Sequence, residues 1–215
     1  MLYKNINDKL ISAVIDTVGH CNLITGPWIA GGTPRRIWFD TNWTKYDVDF
    51  FFPDVTTRKA ASERLDSIYQ KQLDNWHKSH TNDKGDFIVA TDPLPTRHNT
   101  NNATTYTIQV AQTYVHIQLI HKEYYPSLSA LWYNFDFNNC KFATDGIKIA
   151  ADPTAVEDCQ QNRLSRNINC QHKLAAKRVI KYSFYGFNAD SEIISELLTQ
   201  YNEKTIYEAS DDDYV

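Results

Sequence analysis

Apolar residues recur at two periods along the chain, and the switches between those periods outline its elements. From Asp8 to Val18, Leu10, Ile11, Val14 and Ile15 fall at helical spacing, which predicts a helix packed behind a sheet. Trp28-Ile29-Ala30 reads as a short buried strand leading into Gly31. Over Tyr46 to Phe52 the period is two, so a strand there turns Val48 and Phe50 to one face and Asp47 and Asp49 to the other. Thr56 to Trp76 predicts a long amphipathic helix with Ala60, Leu65, Ile68, Leu73 and Trp76 toward the core, followed by a polar loop over Lys78 to Asp86. Strands are expected at Phe87 to Ala90, Thr104 to Val110 and Tyr114 to His121. Between the first two, the segment PLPTRHNTNNA reads as a flexible loop, long enough to cover a site. Tyr114 to His121 alternates, with Val115, Ile117, Leu119 and His121 on one face and Tyr114, His116, Gln118 and Ile120 on the other. His116 and His121 read as satisfied histidines of the sheet. A short helix at Leu128 to Tyr133 precedes a strand that enters the Asp145-Gly146 turn and returns over Ile147 to Ala150. From Pro153 onward the pattern is helical, through a last helix at Ile193 to Tyr201, and the SDDDYV tail is expected to be disordered.

At 215 residues and 42% hydrophobic content, the chain suits one large domain, or one domain with a helical appendage. A net charge of -4 argues against a protein that coats nucleic acid, whose affinity rests on many Lys and Arg contacts to phosphate. Cys21, Cys140, Cys159 and Cys170 are widely spaced without a C-x-x-C pair, so reduced thiols are expected rather than zinc or a disulfide framework. No stretch approaches the roughly 20 apolar residues of a membrane span, and the N-terminus does not read as a signal peptide. These features predict a cytosolic protein without membrane contact; they leave the oligomeric state open.

Two neighbouring features carry candidate chemistry. Asp47 and Asp49 on one strand face repel each other, and a shared hard cation such as Mg²⁺ gives the plainest reason to tolerate that; solvated carboxylates at a strand end are the plain alternative. Just upstream, Gly31-Gly32 lets backbone approach a ligand, and Pro34 suits the first turn of a helix whose amides can face a phosphate chain. Thr33 or Thr25 can cap that helix or contact phosphate, and Arg35 and Arg36 either reach a phosphate or carboxylate or remain solvated. On the strand beside the carboxylates, the position for a third acidic group holds Gln118, whose amide can orient a ligand but is a poor cation ligand. Asp136 lies between two phenylalanines, a costly place for a charge that is neither paired nor metal-bound. Between Asp158 and Asp190, Arg163, Arg166, Lys173, Lys177, Arg178 and Lys181 occur without an acidic residue, predicting a basic helical surface that holds RNA or triphosphate or is simply solvated.

Gly31-Gly32-x-x-Arg35 followed by Asp47-x-Asp49 resembles the first motif of the polymerase-β-type nucleotidyltransferases, in the form used by class II tRNA nucleotidyltransferases (CCA-adding enzymes) and bacterial poly(A) polymerases. Asp136-Phe137, Phe142-Ala143 and Asp145-Gly146 are similar to the second motif, and Arg178 to Tyr182 ending in Gly186-Phe187 to the neck helix. The resemblance implies an α+β fold: a nucleotidyltransferase mixed sheet flanked by helices over 1–150, a small helical neck over 151–207, and an acidic tail over 208–215. It further implies that Asp47 and Asp49 hold Mg²⁺, that Gly31, Gly32 and Thr33 cradle the triphosphate with Arg35 matching the family's arginine, and that Asp136 is a third acidic group or a ribose and base-edge contact; Arg36, Gln118, Arg178 and Lys181 are further candidate nucleotide contacts. The basic stretch 163–181 is then the candidate surface for RNA or tRNA.

This sequence also departs from the pattern. Arg36 stands where the family has Asp, Asn134 and Phe135 replace two arginines, Cys140 replaces an Asn, and Gln171, His172 and Ala175 occupy the places that select ATP and CTP. A compact transferase of the kind found in viral or toxin-antitoxin settings is therefore expected. It either moves NMP to an RNA end, a small molecule or a protein hydroxyl, or is a catalytically silent relative that binds nucleotide or RNA.

Overall fold

The computed structural model describes residues 1–45, 47–81, 93–170 and 173–207, with the side chains of 202–207 excepted. Two compact units form, one from Met1–Trp132 with Phe142–Ala151, the other from Tyr133–Lys141 with the chain from Asp152 onward. Tyr133–Lys141 thus belongs to the second unit, and with it Asp136.

The first unit is an eight-stranded mixed sheet. Its strands are β1 (Leu2–Asn5), β2 (Trp28–Ala30), β3 (Val48–Phe51), β4 (Thr96–Asn99), β5 (Ala103–Val110), β6 (Thr113–Ile120), β7 (Phe142–Thr144) and β8 (Lys148–Ala151), in the order β1-β8-β7-β2-β3-β6-β5-β4. The pair β3–β6 is parallel, while the other pairs are antiparallel. Helix α1 (Lys9–Val18) starts where the Asp8 carboxylate accepts from the amides of Leu10 and Ile11, and it buries Ile11, Val14, Ile15 and Val18. Short α2 (Gly32–Trp38) links β2 to the loop before β3. The Asp54 carboxylate caps α3 (Val55–Ser79) at the Thr57 amide, and α4 (Leu128–Tyr133) ends the first stretch of the chain.

Several expectations need correction. The predicted cover loop contains β4, an edge strand whose four residues are all exposed; it carries no apolar alternation, so its pairing with β5 leaves no hydrophobic signature. The same lack of a core face explains why β1, mostly exposed and paired only to β8, is silent in the sequence. In α3, Ala60 is exposed and the inward stripe is Arg58, Ala61, Ser62, Leu65, Tyr69 and Gln72. That stripe hides from a hydrophobicity pattern because it is half polar: Arg58 donates to Thr104 Oγ1 at 3.0 Å, the Ser62 and Tyr106 hydroxyls are 3.2 Å apart, and Gln72 pairs with both backbone groups of Gln109 at 2.8 Å. Strand Phe87 to Ala90 and the tail lie outside the described residues, as does Tyr46.

The second unit is built on α5 (Pro153–Gln160), α6 (Ala176–Phe184) and α7 (Ser191–Tyr207), with a parallel two-stranded sheet of β9 (Arg163–Leu164) and β10 (Asn188–Ala189). This sheet interrupts the all-helical pattern expected after Pro153. The core comprises Phe137, Cys140, Leu164, Leu174, Val179, Phe187 and Ile193. The four cysteines are free. Burial, aided by Asp145, pushes the Cys21 thiol up to about 12, which makes it inert as a nucleophile.

Candidate active site

The predicted glycine turn and carboxylate pair meet in the first unit. Gly31 ends β2 with its amide bonded to the Phe142 carbonyl at 2.9 Å, and it turns the chain at φ 87°. A Cβ at Gly31 would meet nothing within 4 Å, so the residue is required for its left-handed backbone and the space beside it is open. At Gly32 a Cβ would come within 2.7 Å of Arg36 Nη1: the guanidinium folds back over the first turn of α2, beside the Gly-Gly turn. A cation at a helix N-terminus opposes the helix dipole, an arrangement that an anion at the turn relieves.

The turn is tied directly to the carboxylates. Thr33 is buried, and its hydroxyl donates to the Asp47 carbonyl at 2.9 Å, locking the loop before β3 against α2. Arg35 is also buried, at 6% exposure, whereas Arg36 is half-buried. Asp47 is exposed and precedes the first residue of β3, where a wholly extended Tyr46 to Phe52 was expected. Asp49 follows two residues on, half-buried, with Val48 and Phe50 fully buried on the reverse face. On β6, Gln118 stands in register with Asp49, so the neighbouring strand does present an amide and not a carboxylate beside the pair.

Asp136 is held differently. It lies in the second unit at 6% exposure, where Arg178 Nη1 meets its Oδ2 at 2.6 Å and the Cys170 thiol approaches Oδ1 at 3.6 Å. Burial opposes the charge of Arg178 most strongly, yet Asp136, Cys140 and Tyr182 together outweigh it and hold the guanidinium above its usual range. The costly charge between two phenylalanines is thus paired, one of the two outcomes its setting demanded.

The basic stretch is not one helical surface. Arg163 lies on β9 and bonds the buried Asp158 at 2.6 Å, Arg166 precedes α6 and pairs with Glu196 at 3.0 Å, and Arg178 faces Asp136. Of the six cations, Lys177, Arg178 and Lys181 share α6. Lys173, Lys177 and Lys181 are exposed. Sequence reading missed these partners because Asp136, Asp158 and Glu196 lie on other elements, all of them outside the acid-free window.

Among the described residues no group of three or more His, Cys, Asp and Glu is placed to hold a metal. Asp47 and Asp49 offer oxygen ligands of the kind a hard cation such as Mg²⁺ takes. No helix of the described residues is long and apolar enough to cross a membrane.

With a glycine turn, two carboxylates around the start of the following strand and a mixed sheet, the chain has the fold of the nucleotidyltransferase head and neck seen in CCA-adding enzymes. It aligns with the Thermotoga maritima CCA-adding enzyme complexed with tRNA at a TM-score of 0.51 and 11% identity, over 92% of this chain and 45% of that one. A tRNA-processing enzyme in its apo form gives 0.56 and 13%, over 96% and 51%. A CCA-adding enzyme in complex with CTP gives 0.51 and 11%, over 98% and 49%. The chain spans about half the length of these solved structures. The chain belongs to the Gabija anti-defense 2 (Gad2) family, whose model matches residues 1–162. No curated protein matches it.

Proposed function

We propose that this protein is a Mg²⁺-dependent nucleotidyltransferase that moves NMP from an NTP to an acceptor hydroxyl with release of pyrophosphate, and that it opposes Gabija defence, as its family name states, through that transfer. The observation that carries this reading is the hydrogen bond from Thr33 to the Asp47 carbonyl, which joins the glycine turn to the carboxylate pair in one place. Asp47 and Asp49 would hold the ion, whose contribution when bound is to neutralise charge on the phosphates. The Gly31-Gly32 turn gives the triphosphate room, and the Arg36 guanidinium folded over Gly32 gives it a positive partner. Asp49 and Gln118, in register, orient what is bound across β3 and β6.

The solved structures with tRNA and CTP lend the reading support through shared fold. Gln118 in register with Asp49 favours a second reading, a silent relative that binds nucleotide without transferring it. Incubation of the purified protein with Mg²⁺ and each α-labelled NTP, with released pyrophosphate followed, separates the two. The Asp47→Asn/Asp49→Asn double variant should lose at least about a thousandfold in rate, since several kcal/mol of charge stabilisation is at stake and each 1.36 kcal/mol is tenfold. An unchanged rate in that variant removes these residues from the chemistry.

A further inference from the structure

From Asp49, polar residues continue across the sheet to its edge. Asp49 on β3 is in register with Gln118 on β6, Gln118 with Thr105 on β5, and Thr105 with His98 on β4. The adjoining row is His116, Thr107 and Thr96, in which the His116 ring nitrogen Nδ1 and the Thr107 hydroxyl are 2.9 Å apart. Asp47 precedes Val48, the partner of Ile117, and so stands at the level of His116. With strands about 4.8 Å apart, three steps carry this row roughly 15 Å from the carboxylates to the sheet edge. The opposite face of β5 receives α3, through Ser62 and Tyr69 against Tyr106. On the face that carries Asp49, His98, His116 and Thr96 are exposed and Thr105, Thr107 and Gln118 half-exposed.

The chemistry of the rows is selective. They offer hydroxyl, amide and imidazole groups and neither lysine nor arginine; Arg97 of β4 turns to the α3 side, bonding Asp66 at 2.7 Å and facing the Tyr106 ring. A nucleic-acid strand draws its affinity from lysines and arginines that neutralise several phosphates. A small molecule is gripped by enclosure, which an open face does not give. A broad surface of hydrogen-bonding groups suits a protein segment.

Resting on the nucleotidyl-transfer reading, we propose that the two rows Gln118-Thr105-His98 and His116-Thr107-Thr96 are the acceptor surface, and that the acceptor is a serine, threonine or tyrosine hydroxyl of a protein. That hydroxyl oxygen bonds to the α-phosphorus, the bond from that phosphorus to the pyrophosphate oxygen breaks, pyrophosphate leaves with the electron pair, and the hydroxyl proton passes to solvent. The product is an NMP phosphodiester on the protein.

The test offers the full chain Mg²⁺ and α-labelled NTPs with two fractions of one cell extract, nuclease-treated protein and protease-treated RNA, beside the Thr105→Val/His98→Ala variant. The expected result is label that resists nuclease, with mass spectrometry finding one added NMP on a serine, threonine or tyrosine. The variant should raise the half-saturating concentration of the protein fraction about tenfold, as the loss of two hydrogen bonds implies, while NTP affinity holds. Label confined to RNA, or protein label indifferent to the variant, overturns the proposal. Pyrophosphate release that depends on Asp47 and Asp49 with neither fraction labelled also overturns it and leaves the transfer reading standing; no release at all defeats both.

Discussion

The two units treat their aspartates in opposite ways. In the second, Asp136 and Asp158 are buried and each ends on an arginine, Arg178 and Arg163, at 2.6 Å. In the first, Asp47 is exposed and Asp49 half-buried on an open sheet face, two residues apart, with an amide in register. A buried carboxylate neutralised by an arginine of its own unit ties elements together; Asp47 and Asp49 instead stand two residues apart around the start of β3, beside an amide on β6. Asp136, read in the sequence beside Asp47 and Asp49, is held in the second unit by Arg178.

The largest effect that could break this contrast is the thousandfold loss expected of Asp47→Asn/Asp49→Asn, with the urea unfolding midpoint unmoved. Next comes Asp136→Asn, which removes the charged partner of the half-exposed Arg178 and should lower the stability of the second unit by about 2 kcal/mol in urea titrations. Replacing both partners with apolar residues, Asp136→Leu/Arg178→Met, should restore part of that loss, since the buried Asp136 position then holds no polar group that needs a partner. If transfer fell far more than folded fraction in Asp136→Asn, the aspartate would belong to the active site after all. Gln118→Glu sharpens the comparison from the other side: a third carboxylate in register with Asp49 should tighten Mg²⁺ about tenfold, read as the Mg²⁺ concentration at half-maximal rate. Smallest is Thr33→Val, which removes the tie to the Asp47 carbonyl and should cost about 1 kcal/mol of stability, with a raised half-saturating NTP concentration.

Periodicity made the centre of the sheet legible. Strands β2, β3, β5, β6 and β7, and helices α1 and α4, were readable because each buries one face against a core and so repeats its apolar residues at period two or 3.6. The Gly31-Gly32 turn and the Asp47 and Asp49 pair were readable as well, since their chemistry is local to a few residues. The outer strands β1 and β4 were not, because an edge strand is stabilised by backbone pairing that any sequence can supply. Nor was the inward stripe of α3, whose Arg58, Ser62 and Gln72 satisfy hydrogen bonds with β5 where an apolar face was sought.

What the sequence alone determined, then, is the local grammar of the site: a left-handed glycine, a helix start, and two carboxylates one residue apart. Charge balance belonged to the tertiary structure. A run such as 163–181 looks basic in one dimension, but Coulomb attraction acts through space, and folding brings Glu196, Asp158 and Asp136 from other elements to Arg166, Arg163 and Arg178. The polar row from Asp49 to His98 likewise exists only through strand register, which joins residues up to 69 positions apart in the chain, from Asp49 to Gln118, into one surface.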